Sequence, residues 1–332
     1  MGSPIDLVTL GEAMVRLTPP DHERLEQATS FLAHVGGSEL NVAVAAAHLG
    51  LSTSFVTRLT NNPLGRRVRN AAREHGVDTS HIVWTDEDRV GTYYLERGAA
   101  PRANSVVYDR SHSAIANLRA GEIAWETALA GAKAFHVSGI TPALSPSAAE
   151  ATLEAVACAV EAGVLVSVDL NYRARLWSRS EARDVMTQIA HATNVLITTE
   201  EDTERVFGIQ ADSYEDVARE LAETFALDIV AITLRETPFV WRNSWTAIAY
   251  ERSSDTVHRA PTFEIEVVDR VGSGDSFAGG FLYGHLLRGP EAGVRYGVAI
   301  SAIKQTHPGD IVCATKAEVD RMLEGTGLRI DR

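Results

Sequence analysis

Nowhere in the 332 residues does a run of about 18 uninterrupted apolar residues occur, so no membrane span is expected. Met1 to Leu17 has Asp6 and Glu12 breaking its apolar run and lacks the charged-then-apolar layout of a secretion signal. Cysteine is nearly absent. Cys158 and Cys313 stand far apart, which excludes a disulfide framework and a cysteine zinc cluster and favours a reduced, cytoplasmic setting. Positive charge is also scarce: 31 Lys and Arg face 44 Asp and Glu, a net charge of −13. Such a field repels nucleic acid and anionic lipid, so neither is an expected partner. Any anionic ligand must be held by local cations and backbone donors. No Gly-Lys pair exists, which excludes a Walker loop, and no His-Glu-x-x-His occurs. There is no internal repeat and no Pro/Ser-rich linker, so the chain reads as one continuous fold.

What is present is ordinary globular material, 45% hydrophobic and 23% charged. Apolar runs with strand character at Ile5 to Leu10, Thr53 to Thr57, Ala134 to Val137, Val164 to Val168, Val195 to Ile197 and Ile229 to Leu234 alternate with helical stretches. Those helices are Asn41 to Leu49, Pro63 to Gly76, Ser145 to Ala162 and Ser180 to His191. The alternation predicts a parallel sheet covered by helices on both faces. Ala13 to Val35 and Arg89 to Ala114 break the rhythm and read as strands of a second, small sheet.

The stretch Val267 to Phe281 carries the chemistry. It runs from a strand into a helix through Gly272-Ser273-Gly274-Asp275. Gly272 and Gly274 allow positive φ and close backbone approach, and unpaired N–H groups at the helix start can hold a transferring phosphoryl group. Asp275, in the first helical turn, would stay ionised there and accept a proton from an attacking hydroxyl. The bland alternative is a loop with Asp as a helix cap. A dinucleotide fingerprint fails, because its third glycine falls at Phe277. A hydrolase elbow would read Gly274-Asp275-Ser276-Phe277-Ala278, with Ala278 in place of its last glycine and only His285 and His307 downstream as bases, and stays a minor alternative.

Gly272-Ser273-Gly274-Asp275 after Val268-Asp269 resembles the Gly-Ala-Gly-Asp signature of the ribokinase-like (PfkB) carbohydrate kinases. Gly36-Gly37-Ser38-Glu39-Leu40-Asn41 is similar to that family's first motif, and the likeness runs from about Leu7 to about Leu323. The resemblance implies a three-layer α/β/α core from 1–12, 36–88 and 115–332, with a β-lid from 13–35 and 89–114. It implies ATP·Mg²⁺ as donor, Asp275 as base, an anion hole at Gly272, Ser273 and Gly274, and Gly36, Gly37 and Asn41 at the sugar. A homodimer through the lid and a monovalent-cation site near Lys304 and His307-Pro308-Gly309-Asp310 are further implications.

Within the family, Tyr94, Tyr108-Asp109-Arg110 and Asp169-x-Asn171-x-Arg173 resemble kinases for 2-keto-3-deoxygluconate, with Arg110 and Arg173 gripping the substrate carboxylate. Asn171 would reach the same sugar. Tyr93 competes with Tyr94, because strand alternation turns only one of them inward. Where the family has Asn-x-x-Glu this chain has Thr199-Glu200-Glu201-Asp202, which leaves Glu201 or Asp202 for magnesium. Thr199, Thr233 and Arg235 are the remaining nucleotide candidates. The alternatives are a fructokinase, a ribokinase, another sugar kinase, or a catalytically silent sugar-binding member of the family.

Overall fold

The computed structural model describes residues 5–239 and 242–325, the side chains of 235–239 excepted. The strands follow in chain order. β1 (Leu7–Leu10) starts the core, β2 (Met14–Thr18) and β3 (Leu32–Gly36) leave it, and β4 (Thr53–Val56) returns. β5 (Arg58–Thr60) pairs with β6 (Val83–Thr85) as a small parallel pair, and β7 (Thr92–Glu96) and β8 (Ser105–Asp109) leave the core again. β9 (Ala134–Ser138), β10 (Leu165–Asp169), β11 (Val195–Thr198), β12 (Ile229–Phe239), β13 (Arg242–Glu251), β14 (Thr256–Arg259) and β15 (Phe263–Glu266) complete the series.

Among the described residues the large sheet has the order β14-β13-β12-β11-β10-β9-β1-β4, with β15 also paired to β13. From β4 to β12 the pairing is parallel, as the alternation predicts. The edge differs: β12 folds back on β13 as a hairpin, and β14 and β15 add antiparallel strands. Only the short 3-10 turn Arg252–Ser254 and tight connections separate these segments, too little chain for a crossover that would return it in parallel.

Alternation along each strand sorts its side chains between two cores. Val8, Phe135, Val137, Val166, Val168, Leu196 and Val230 meet helices Pro146–Glu161, Arg179–Ala190 and Tyr214–Phe225 on one face. Leu7, Ala134, Val195, Ile197, Ile229 and Ala231 meet Ser38–Leu49, Ser273–Arg288 and Pro290–Lys304 on the other. The result is three layers, helix, sheet and helix.

β1 has β4 on one side and β9 on the other, so the chain order reverses there. In open α/β sheets a crevice forms outside the carboxyl ends of the strands at such a point. β10 ends at Asp169 and β11 at Thr198, both beside that crevice. The second sheet has the order β3-β2-β7-β8 and comes from the two segments that break the rhythm. No helix among the described residues is long and apolar enough to cross a membrane.

Candidate active site

A cleft of about 620 Å³ lies over the carboxyl ends of the core strands and is bounded by Met14 of β2 and Tyr93 of β7. Asp275 sits in it. The helix expected from Asn41 begins earlier, at Ser38, which puts Ser38 and Asn41 in its first turn. Ser38 Oγ donates to Asp275 Oδ1 at 2.8 Å and Asn41 Nδ2 donates to Oδ2 at 2.7 Å. Asn171, held at φ 38°, donates from Nδ2 to Ser38 Oγ at 3.3 Å. Burial pushes the Asp275 carboxyl above its usual range, and the Asn41 and Ser38 bonds and the Arg173 charge pull it back. The helix start alone suggests an unburdened anion; desolvation is the larger effect here.

The turn before Asp275 follows the sequence expectation in one glycine and not in the other. Gly272 has φ 83°, and a Cβ there would lie 1.9 Å from the Asp310 carbonyl oxygen, so a side chain has no room. Gly274 is helical, and a Cβ there would meet nothing within 4 Å. Its openness faces the cleft. Ser273 N–H bonds the Arg270 carbonyl and Ser276 N–H bonds that of Gly272, whereas Gly274 and Asp275 keep N–H groups with no bond among the described residues. Two free donors at a helix start form a site for an anionic oxygen.

Acidic groups crowd the next wall. Asp169 is pushed up to about 8, first by burial and then by Asp275 and Asp202, with Arg173 opposing. Burial also raises Asp202, again opposed by Arg173. Thr199 caps the helix Glu200–Phe207 by accepting the Asp202 N–H at 3.1 Å, a part the missing Asn would also have played. Glu201 is a poor magnesium candidate. It borders the cleft, but it is exposed and already paired to Arg205 on the same helix, whereas Asp202 is buried further in. No group of three or more His, Cys, Asp or Glu among the described residues is arranged to hold a metal ion. Mg²⁺ needs fewer, since it keeps water and takes one or two carboxylates together with phosphates. Asp202 suits that need. Thr233 lines the cleft; the Arg235 side chain lies outside the described residues.

Tyr93, not Tyr94, faces the cleft. Tyr93 is buried and stacks on Tyr108 with ring centres 5.5 Å apart, while Tyr94 turns to the opposite face against Phe31. The period of two fixes that one is inward, and the register of β7 on β2 decides which. Arg110 lies with its guanidinium 5.3 Å from the Tyr108 ring centre. Its Nε and Nη2 both donate to Glu12 Oε2, and Ser113 Oγ donates to Glu12 Oε1 at 2.6 Å. Asp109 pairs with Arg89 on the outer face instead. Arg173 lines the cleft and donates to the Tyr172 carbonyl at 3.2 Å, with no carboxylate within ion-pair distance among the described residues.

Several residues of this site give no local signal in the sequence. Arg16 of β2 is 1% exposed and bonds Asp269 at 2.5 Å and Asp310 at 3.1 Å. Asp269 also accepts from the N–H groups of Val271 and Gly309, and Tyr93 Oη donates to Asp310. One guanidinium thus ties the small sheet to the strand end that feeds the Gly272 turn. Glu12 and Ser38 are the other unforeseen members. Trp245 is buried and also borders the cleft.

A free-donor turn facing a buried carboxyl, at the reversal point of a doubly covered sheet, has the parts that phosphoryl transfer needs. Residues 5–317 match the pfkB family carbohydrate kinase model, and the chain belongs to that family. It is 41% identical over 328 residues to 2-dehydro-3-deoxygalactonokinase of Haloferax volcanii, covering 98% of this chain and 99% of that one. It is 32% identical to 5-dehydro-2-deoxygluconokinase of Shouchella clausii over 97% of each chain. Among solved structures, 2-dehydro-3-deoxygluconokinase of Thermotoga maritima superimposes with a TM-score of 0.93 at 42% identity, covering 97% of this chain and 100% of that one. The protein is therefore a sugar kinase with a ribokinase-like fold.

Proposed function

We propose that this kinase transfers the terminal phosphoryl group of ATP to the terminal hydroxyl of 2-keto-3-deoxygluconate, giving the 6-phosphate and ADP. The observation that carries the reading is the position of Asp275, between a turn with two free N–H groups and a cleft that also holds Arg110 and Arg173. Asp275 takes the hydroxyl proton. The sugar oxygen then bonds the γ-phosphorus as the bond to the β-phosphate oxygen breaks. The free N–H groups of Gly274 and Asp275, set by the Gly272 turn, receive the charge on the transferred group, whereas the Ser273 N–H expected there is taken by the Arg270 carbonyl. Asp202 would hold Mg²⁺, whose contribution when bound is to neutralise phosphate charge. Thr199, Thr233 and Gly274 border the nucleotide end, and Gly36, Gly37, Asn41, Tyr93, Tyr108 and Asn171 the sugar end. Arg110, backed by Glu12, and the less committed Arg173 meet the substrate carboxylate.

The small sheet then acts as a roof over the sugar, and its exposed Phe31, Leu32 and Val107 support a homodimer through that sheet. Free Cys158 and Cys313 support a reduced, cytoplasmic setting. A second reading, the galacto epimer as substrate, is favoured by the Haloferax relative.

The test is ADP release with ATP and Mg²⁺ across both keto-deoxy acids, gluconate, fructose and ribose. Turnover of the keto-deoxy acids over neutral sugars is expected. Turnover of fructose or ribose alone removes the carboxylate role of the arginines, and no turnover of any sugar favours a silent binding member.

A further inference from the structure

Lys304 closes the helix Pro290–Lys304 and is fully buried, yet the transfer described above does not use it. Its ammonium lies 3.3 Å from the carbonyl oxygen of Asp269 and 3.3 Å from that of His307. Both carbonyls belong to segments that shape the anion turn. Asp269 precedes Arg270, whose carbonyl accepts the Ser273 N–H, and His307 opens the loop that sets the Asp310 carbonyl against Gly272. No carboxylate lies within ion-pair distance of Lys304 among the described residues. Burial lowers its pKa, Asp269, Asp310 and Asp275 raise it from further off, and Arg16 opposes them.

A buried ammonium without a direct carboxylate partner is costly to keep. Main-chain carbonyls around a dehydrated charge are the ligands that alkali cations take. The family resemblance implies a monovalent cation beside this loop, and the residues present do not fit one at these carbonyls. A free cation there would meet an ammonium already in contact with them, and two like charges in a buried site repel.

We propose that the Lys304 ammonium is a built-in substitute for a monovalent cation, holding the Asp269 and His307 segments so that the Gly272 turn is set without K⁺ or Na⁺. This rests on the reading of that turn as the phosphoryl site.

The experiment compares wild type with Lys304→Ala in tetramethylammonium buffer free of alkali cations, titrating KCl, NH₄Cl or ethylammonium chloride. Melting midpoint and ADP release are both followed. Wild type is expected to be indifferent to all three salts in both readouts. Lys304→Ala is expected to lose about 10- to 100-fold in rate, the equivalent of one charge-assisted hydrogen bond. Its rate and melting midpoint should then rise with KCl or ethylammonium, as ligand binding to the native state requires. A wild type that gains rate and thermal stability from K⁺ overturns the proposal. So does a folded Lys304→Ala that runs at wild-type rate without any cation. Lys304→Met repeats the comparison should the alanine variant not fold, and the wild-type titration decides independently of either. If no sugar is turned over, the kinase substrate reading fails while the melting readout still tests the cation substitute.

Discussion

Asn41 Nδ2 donates to Asp275 Oδ2 at 2.7 Å, joining the first turns of two helices that lie 234 residues apart in the chain. Ser38 holds the other oxygen, so the carboxyl is aimed before any substrate arrives. Replacing Asp275 with Asn should lower kcat by about 10²- to 10⁴-fold, the usual worth of a positioned base. Calorimetry should still show sugar binding; retained turnover would remove Asp275 from the role of base.

Removing Arg173 takes away a positive charge that lowers the Asp275 carboxyl. Arg173→Ala should therefore move the acidic limb of the pH–rate profile to higher pH. An unmoved limb would show that the proton acceptor is another group.

Arg110→Ala leaves Glu12 buried without its cation, at a cost of about 3–5 kcal/mol in stability. Arg110→Ala together with Glu12→Gln should recover most of that loss in denaturant unfolding, while binding of a sugar acid stays weak. Recovery of acid binding in the double variant would mean that Arg110 only neutralises Glu12.

Asp169 offers a second pH signature, read in stability. Its carboxyl, pushed up to about 8, favours the folded state most fully below its ordinary pKa and loses that contribution as pH rises towards 8. Thermal melts of wild type should fall in stability across this window, and Asp169→Asn should flatten the fall and be the more stable protein at pH 8. Parallel curves for the two proteins would contradict the assignment.

Replacing Arg16 with Met strands Asp269 and Asp310 without their shared cation. A loss of about 3–5 kcal/mol is expected from urea unfolding. Arg16→Met with Asp269→Asn and Asp310→Asn should regain stability, because the uncompensated charge then disappears.

The parallel core was legible because each strand and helix writes its period locally. Gly272 and Asp275 were legible because the turn sits in one short run. Pairings that span the chain were not: Glu12 with Arg110 across 98 residues, and Arg16 with Asp269 and Asp310 across 253 and 294. Sequence alone cannot separate Tyr94 from Tyr93, because alternation gives the period of a strand and leaves its phase to the neighbouring strand. The β13 to β15 edge was missed because a hairpin return carries no helix to mark it. Glu201 and Asp202 read alike in sequence, and both border the cleft; the ion pair of Glu201 with Arg205 is what distinguishes them.

Arg16 has a consequence for exchanging parts between relatives. It arrives with the small sheet, whereas Asp269 and Asp310 arrive with the core. A roof transplanted from a kinase without a cation at this position would bury two facing acids, and Arg16 placed over a core without those acids would bury a bare guanidinium. Swaps that alter sugar choice should therefore succeed as single changes along β8, whose residues are mostly exposed, and fail as whole-sheet grafts unless both acids travel with the sheet.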